Sequence, residues 1–305
     1  MKKYIGIDLG GTNVRAARVD ETGHVEAMVK APTGIENGYD FVMRNILSMI
    51  EQVDESKECL GIGMGVPGPV DTVAQVMTMS SNLPGFAYQP IAGQIEAATG
   101  LPTFINNDGN VAGLGEAILG AGRGCDTVYY VTLSTGIGGA LVINQRVHSG
   151  KHGYAGEIGN LMIDRGREKI NHLNANAIEC EASGMALTRT GKALFGEDIQ
   201  HAGHVFDLAR KKHPEALQLV DEMAYDLAYM FSLIAHICDP DVFVLGGGVM
   251  QGKDLFLQPM ETYFRTMIHE GMQPIHFVEA QLEEPGIIGA AMLPMSLIEP
   301  SNDRK

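Results

Sequence analysis

The chain has 305 residues, a net charge of −15 and a hydrophobic fraction of 45%. That length admits two domains or one large one, with apolar material to fill their cores. The acidic balance excludes the basic face that phosphate backbones need, so no nucleic-acid partner is expected.

Four cysteines, Cys59, Cys125, Cys180 and Cys238, lie more than 50 residues apart with no CxxC pair. This is the pattern of reduced thiols, not of a disulfide framework or a metal knuckle. Asp8 interrupts any apolar run at the N-terminus that could act as a signal peptide. The longest weakly polar stretch, 128–143, carries Thr132, Ser134, Thr135 and three glycines, which suits a membrane poorly. A cytoplasmic protein without a membrane partner is expected.

In chain order, alternating apolar and polar residues predict strands at 4–9, 13–20 and 24–31, with turns at Gly10–Asn13 and Glu21–His24. These make an antiparallel meander. A helix follows with Phe41, Val42, Ile46, Met49, Ile50 and Val53 on one face. Next come a buried strand at 59–66, a Pro-Gly loop at 67–71, a strand at 72–79 and a helix at about 90–99. A strand at 103–107 feeds directly into a helix, where Asp108 is a good N-cap.

The pattern then restarts: a strand at 127–134, a glycine turn at 135–139 and a return strand at 139–147. Repetition of a strand, glycine loop and strand predicts two similar domains facing a shared cleft. One is residues 1–117 with the C-terminal helix at about 287–305; the other is 118–286. Within the second, an irregular region (150–180) precedes helices from 184 to 238, a strand at 241–249, a helix at 254–268 and a strand at 275–282.

Five constellations could carry chemistry. In the first, glycines at Gly10 and Gly11 permit φ > 0 and let backbone N–H groups approach an oxyanion. Thr12 adds a hydroxyl, and Asp8 could hold a hydrated Mg²⁺. A tight turn alone would also explain these glycines, and neither the GxxxxGK[ST] loop nor a glycine loop opening a helix is present. The second, Ser134 to Gly139, repeats the hydroxyl-and-glycine chemistry, and two such loops could clamp a triphosphate from both sides. In the third, Asn107 could orient a hydroxyl nucleophile and Asp108 accept its proton. In the fourth, Gly246, Gly247 and Gly248 follow a buried strand and suit close passage of adenine, or a plain strand-to-helix turn. In the fifth, Glu157 sits in a glycine-flanked loop where it could accept bonds from sugar hydroxyls, although a solvated glutamate is the commoner case. His148 and His152 are four apart, but Gly150 and Gly153 break the helix that a metal face would need.

Taken in order, "IGIDLGGTNVR", "GIGMGVPGPVD", "SSNLPGF", "INNDGNVAGLGE", "TLSTGIGGALV", "AGEIGN", "EASG", "DPDVFVLGGGV" and "PGIIGAAML" resemble the ROK family of sugar kinases and sugar-responsive repressors across essentially the whole chain. The resemblance implies an α/β fold of the two-domain sugar-kinase/actin-like ATPase (ribonuclease H-like) type, with the active site in the cleft. It implies ATP and Mg²⁺ as cofactors, a small sugar as partner, and a homodimer or homotetramer. Asp8, Gly10, Gly11, Thr12 and Asn13 match the first phosphate loop, Thr135 and Gly136 the second, and Gly246, Gly247 and Gly248 the adenosine motif. Asn107 matches a sugar ligand and Asp108 the catalytic base. Glu157 and Glu179 match the sugar-binding glutamates, and Gly68 and Asn82 match loops lining the sugar pocket.

Two departures stand out. Asn160 replaces a family histidine that binds zinc and touches sugar, and Ile170, His172 and Ala177 stand where three zinc-binding thiolates would be. One histidine cannot replace a four-ligand site, so no structural zinc is expected. Packing or hydrogen bonds through Asn171, Asn174 and Asn176 must then brace the glutamate loop. Asn160 can donate and accept but reaches less far than histidine. The implied activity is ATP-dependent phosphorylation of a hexose at its 6-hydroxyl, of glucose or allose type. The alternatives are an N-acylhexosamine or fructose kinase, or a catalytically weak sugar-binding regulator.

Overall fold

The computed structural model describes residues 1–164, 166–167 and 169–298. The chain runs β1 (Lys3–Leu9), β2 (Asn13–Asp20), β3 (Val25–Pro32), α1 (Tyr39–Val53), β4 (Ile62–Val66), β5 (Val70–Asp71), β6 (Val76–Met77), α2 (Ile91–Thr99), β7 (Thr103–Asn107) and α3 (Asp108–Ile118). It continues through β8 (Thr127–Leu133), β9 (Ile137–Ile143), β10 (Arg146–Val147), α4 (Glu179–Ala182), α5 (Gly184–Phe195), α6 (Ala202–Arg210) and α7 (Pro214–Cys238). The last elements are β11 (Val242–Gly246), α8 (Lys253–Met267), β12 (His276–Glu279) and α9 (Pro285–Ile298). Residues 299–305 of the expected C-terminal helix lie outside the described residues. Among the described residues no helix is long and apolar enough to cross a membrane.

One sheet has the order β3-β2-β1-β4-β7. The expected meander forms its antiparallel side, while β4 and β7 run parallel to β1. The inner strands are buried on both faces, as parallel strands covered by helices are. On one side α1 buries Val42, Met43, Ile46, Met49, Ile50 and Val53 in one core cluster with Ile5, Ile7 and Met64. The other partner is α9, whose residues Ile287 to Pro294 are all buried. Glycines allow this close fit. A Cβ at Gly63 would lie 1.9 Å from Ala290 O, and one at Gly289 would lie 1.7 Å from Val111 O of α3.

A second sheet has the order β10-β9-β8-β11-β12, with β11 and β12 parallel. The chain groups into two units: Met1–Val128 with Ala140–Gly156 and the chain from Gln281, and Tyr129–Gly139 with Glu157–Ala280. Residues 118–128, 140–156 and 281–286 therefore group with the N-terminal part, whereas the repeat assigned them to the second domain. Hydrogen bonds reach all three of these segments. Ser149 pairs with Asn106 at 3.1 Å. The buried Glu116 carboxylate accepts N–H groups of Ala121, Gln281 and Leu282 at 2.8–3.1 Å.

Several elements differ from expectation for local reasons. The strand expected at 72–79 is the short hairpin β5–β6. Asp71 Oδ1 accepts the N–H groups of Val73 and Ala74 at 2.9 Å, turning the chain as Asp does in Asx turns. The glycine turn expected at 135–139 ends sooner, because Gly138 and Gly139 already belong to β9. The return strand breaks at Asn144 and Gln145, both left-handed at φ 49° and 61°, which makes a second hairpin with β10.

Candidate active site

In the N-terminal unit, Asp8, Gly65 and Asn106 stand at matched positions near the carboxyl ends of the parallel strands β1, β4 and β7. Open α/β sheets bind ligands beyond such ends. Arg15 faces Asp8 across the β1–β2 ladder. Its Nε and Nη2 donate to Asp8 Oδ2 at 3.1 and 2.6 Å, and its Nη1 pairs with Glu284. Burial alone would lower the Arg15 pKa, but the two carboxylates outweigh it and hold the guanidinium above its ordinary value. Both contacts to Asp8 fall on Oδ2, so Oδ1 lies outside the pairing. Mg²⁺ usually takes only one or two carboxylates and fills its shell with water and substrate phosphates, and this donor set fits that habit. Among the described residues no group of three or more His, Cys, Asp or Glu is disposed to hold a metal.

Gly10 and Gly11 do not use left-handed φ. What they supply is close approach. A Cβ at Gly11 would lie 2.9 Å from Asn82 O, and one at Gly10 would lie 3.2 Å from Asn13 O. Asn82 is thereby brought beside the first loop. Thr12 and Asn13 are exposed. The buried Thr33 anchors the loop: its N–H donates to Thr12 O at 2.9 Å and its hydroxyl to Gly10 O at 2.6 Å. No motif marked Thr33 in the sequence.

The cap of α3 is Asn107, not Asp108. Asn107 Oδ1 accepts from the N–H groups of Gly109 and Asn110, while its Nδ2 donates to Gly68 O at 3.2 Å. Gly68 presents that carbonyl from a left-handed conformation, φ 94°. Asp108 becomes the first helical residue. Asp108 is exposed on its outer side, yet the protein crowding it raises its carboxyl above the usual range, helped by the nearby Asp8 and opposed by the N–H of Gly109.

In the second unit, the loop after β8 is docked on the start of α5. Ser134 O accepts Gly184 N at 2.8 Å and Thr135 O accepts Met185 N at 3.2 Å, and Ser183 caps the helix. Glu179 Oε2 accepts Ile137 N at 2.9 Å. Glycines leave room for it, since a Cβ at Gly136 or Gly159 would come within 2.4 or 3.0 Å of that oxygen. Glu157 is exposed at the head of a 3-10 turn, Ile158–Asn160.

The asparagines expected to brace this region are all engaged. Asn160 Oδ1 accepts Asn174 N at 2.6 Å, and Asn174 Nδ2 returns to Asn160 O at 3.2 Å. Asn171 Oδ1 accepts Leu173 N at 2.8 Å, and Asn176 Oδ1 accepts Arg167 N at 2.6 Å.

A cavity of about 810 Å³ opens beside Thr135 and Gly184. One face of α5 lines it with Met185, Thr188, Arg189 and Lys192, which recur at helical spacing. Of the three consecutive glycines only Gly248 reaches this cavity. Gly246 and Gly247 instead let β8 pass close by: a Cβ on them would lie 2.8 Å from the Tyr130 hydroxyl and 2.3 Å from Leu133 O. The α5 residues escaped the sequence reading because they form no compact motif. Their shared face is the signal that could have shown them.

The ROK family profile matches residues 4–296. The glucokinase of Thermotoga maritima is 30% identical over 306 residues, covering 95% of this chain and 96% of that protein. A ROK hexokinase structure from Thermus thermophilus aligns with a TM-score of 0.83 at 32% identity, over 95% of this chain and 97% of the other. A ROK family glucokinase from Streptomyces griseus, solved with glucose and AMPPNP, aligns with a TM-score of 0.75 at 29% identity, over 95% and 98%. With its motifs in order and its fold shared along nearly all its length, the chain belongs to the ROK family and has the sugar-kinase/actin-like ATPase fold.

Proposed function

We propose that this protein is an ATP-dependent hexose kinase that phosphorylates the 6-hydroxyl of a sugar of glucose or allose type. One observation carries the chemistry: Asp108, relieved of the main capping role by Asn107, stands near Asp8 with its carboxyl pushed toward the range where a base works. Relatives named glucokinase, and one solved with glucose and an ATP analogue, support the choice of substrates.

In this reading the Asp108 carboxylate accepts the hydroxyl proton as that oxygen attacks the γ-phosphorus. The bond from the γ-phosphorus to the bridging oxygen breaks, and ADP leaves with that oxygen. Asn107 has a second amide N–H beyond the one given to Gly68 O, and this orients the hydroxyl. Gly68 and Asn82 shape the pocket, and Glu157, Glu179 and Asn160 take other sugar hydroxyls. The loops at Gly10–Asn13 and Thr135–Gly136 hold phosphates by N–H and hydroxyl donors, and Gly248 opens room for the nucleoside. Mg²⁺ beside Asp8, when bound, neutralises phosphate charge.

The test is ADP release across glucose, allose, mannose, fructose and N-acetylhexosamines, with the phosphate position read by phosphorus NMR. The expected outcome is turnover with glucose or allose and a 6-phosphate product. Preference for fructose or an N-acylhexosamine would replace the substrate assignment. No release with any sugar would leave a sugar-binding regulator as the better reading.

A further inference from the structure

Between the turn at Ile158–Asn160 and α4 the described residues form no helix or named strand, and a stretch of that length without its own secondary structure is uncommon in a compact unit. The segment closes on itself through Ile163 N to Asn176 O at 3.1 Å and Ile178 N to Leu161 O at 2.9 Å. One side chain ties it outward to α7. Arg167 Nη1 and Nη2 donate to Asp226 Oδ2 and Oδ1 at 2.7 and 3.0 Å, a two-bond fork. Nη1 also lies 3.3 Å from Glu181 Oε2, and Nε lies 3.3 Å from Asp164 Oδ2. Arg167 N, as noted, donates to Asn176.

Asp226 is 8% exposed on the inner side of α7, and both its oxygens accept from Arg167. This is therefore not a screened surface pair. Without the guanidinium, a carboxylate would be left buried and unpaired. Glu181 shares the four-residue α4 with Glu179, and a second cation, Arg189, donates to Cys180 O at 2.5 Å on the same turn.

We infer that Arg167 is a positioning residue for sugar binding: through Asp226 it holds the described residues of 157–182 to α7, and through Glu181 it ties them to α4, which carries Glu179. The inference rests on the reading of Glu157 and Glu179 as sugar ligands. It deepens that reading by naming what orders them.

The experiment compares Arg167→Ala, Arg167→Lys, Asp226→Asn and Glu179→Gln in the full chain, reading KM for sugar and ATP, kcat, and amide hydrogen exchange over 157–182. Arg167→Ala is expected to raise the sugar KM about tenfold or more, leave the ATP KM unchanged and speed exchange in 157–182. Arg167→Lys keeps the charge but not the fork, so an intermediate KM is expected. Arg167→Ala combined with Asp226→Ala should lose no more than the single change, because the two act as a unit. A wild-type sugar KM in Arg167→Ala, with Glu179→Gln impaired, overturns the inference and leaves the sugar site standing. If Glu179→Gln binds sugar normally, the sugar reading fails instead, and exchange alone decides: faster exchange supports the tie, unchanged exchange overturns it. Should Arg167→Ala not fold, Asp226→Asn gives the same readings.

Discussion

Asn107 Oδ1 and Asp108 Oδ1 share the N–H of Gly109, at 2.9 and 2.7 Å, and Asn107 also takes the N–H of Asn110 at 3.3 Å. The neutral residue thus carries the cap, while the charged one keeps its second oxygen outside it. A carboxylate that capped the helix alone would be held in its charged form and made a poorer base.

Asp108→Asn should fold normally and bind sugar with near wild-type affinity, while kcat falls by about 10³. Steady-state kinetics together with calorimetric sugar binding check both halves. Turnover like wild type in this variant would sink the base assignment.

The pH profile follows from the raised Asp108 carboxyl. Only the deprotonated form accepts a proton, so kcat/KM should fall as pH drops through a limb lying above the ordinary carboxylate value. Asn107→Asp keeps a good cap but adds a like charge beside Asp108. Its limb is expected to move to still higher pH, and the melting temperature to fall because the bond from Asn107 Nδ2 to Gly68 O is lost.

Gly247 and Gly248 should separate folding from binding. Gly247 has φ 93° with Leu133 backbone against it, so Gly247→Ala is expected to destabilise by about 2 kcal/mol or more. A Cβ at Gly248 meets nothing within 4 Å, yet the residue lines the 810 Å³ cavity. Gly248→Val should therefore fold but raise the ATP KM at least several-fold, with the sugar KM unchanged. Urea melts and two-substrate kinetics read the contrast.

Glu116 is fully buried and takes N–H groups from Ala121, five residues on, and from Gln281 and Leu282, 165 and 166 residues on. Glu116→Ala leaves those donors unpaired and is expected to cost about 3 kcal/mol, seen as a lower urea midpoint. Glu116→Gln should cost less, since one amide oxygen still accepts. A midpoint equal to wild type in the alanine variant would contradict this account.

Much of the fold was legible because its signals are local. Alternation marked β1, β2 and β3, helical spacing marked the buried face of α1, and the Asn107–Asp108 pair marked the strand-to-helix junction. The hairpin at 70–77 replaces the strand expected at 72–79, because Asp71 turns the chain through its own side chain.

By itself, the sequence determined which residue types stand at each loop and strand end, because turn chemistry and periodicity act over a few residues. Asp8, Asn107, Asp108, Thr135 and the glycines around them could all be named that way. Tertiary structure alone decided how they are paired. Gly11 accommodates Asn82 because a loop about seventy residues later passes over it. Arg167 reaches Asp226, 59 residues on, because an irregular loop folds back onto a helix face. Such contacts depend on the path of the whole chain, and no local spacing encodes them.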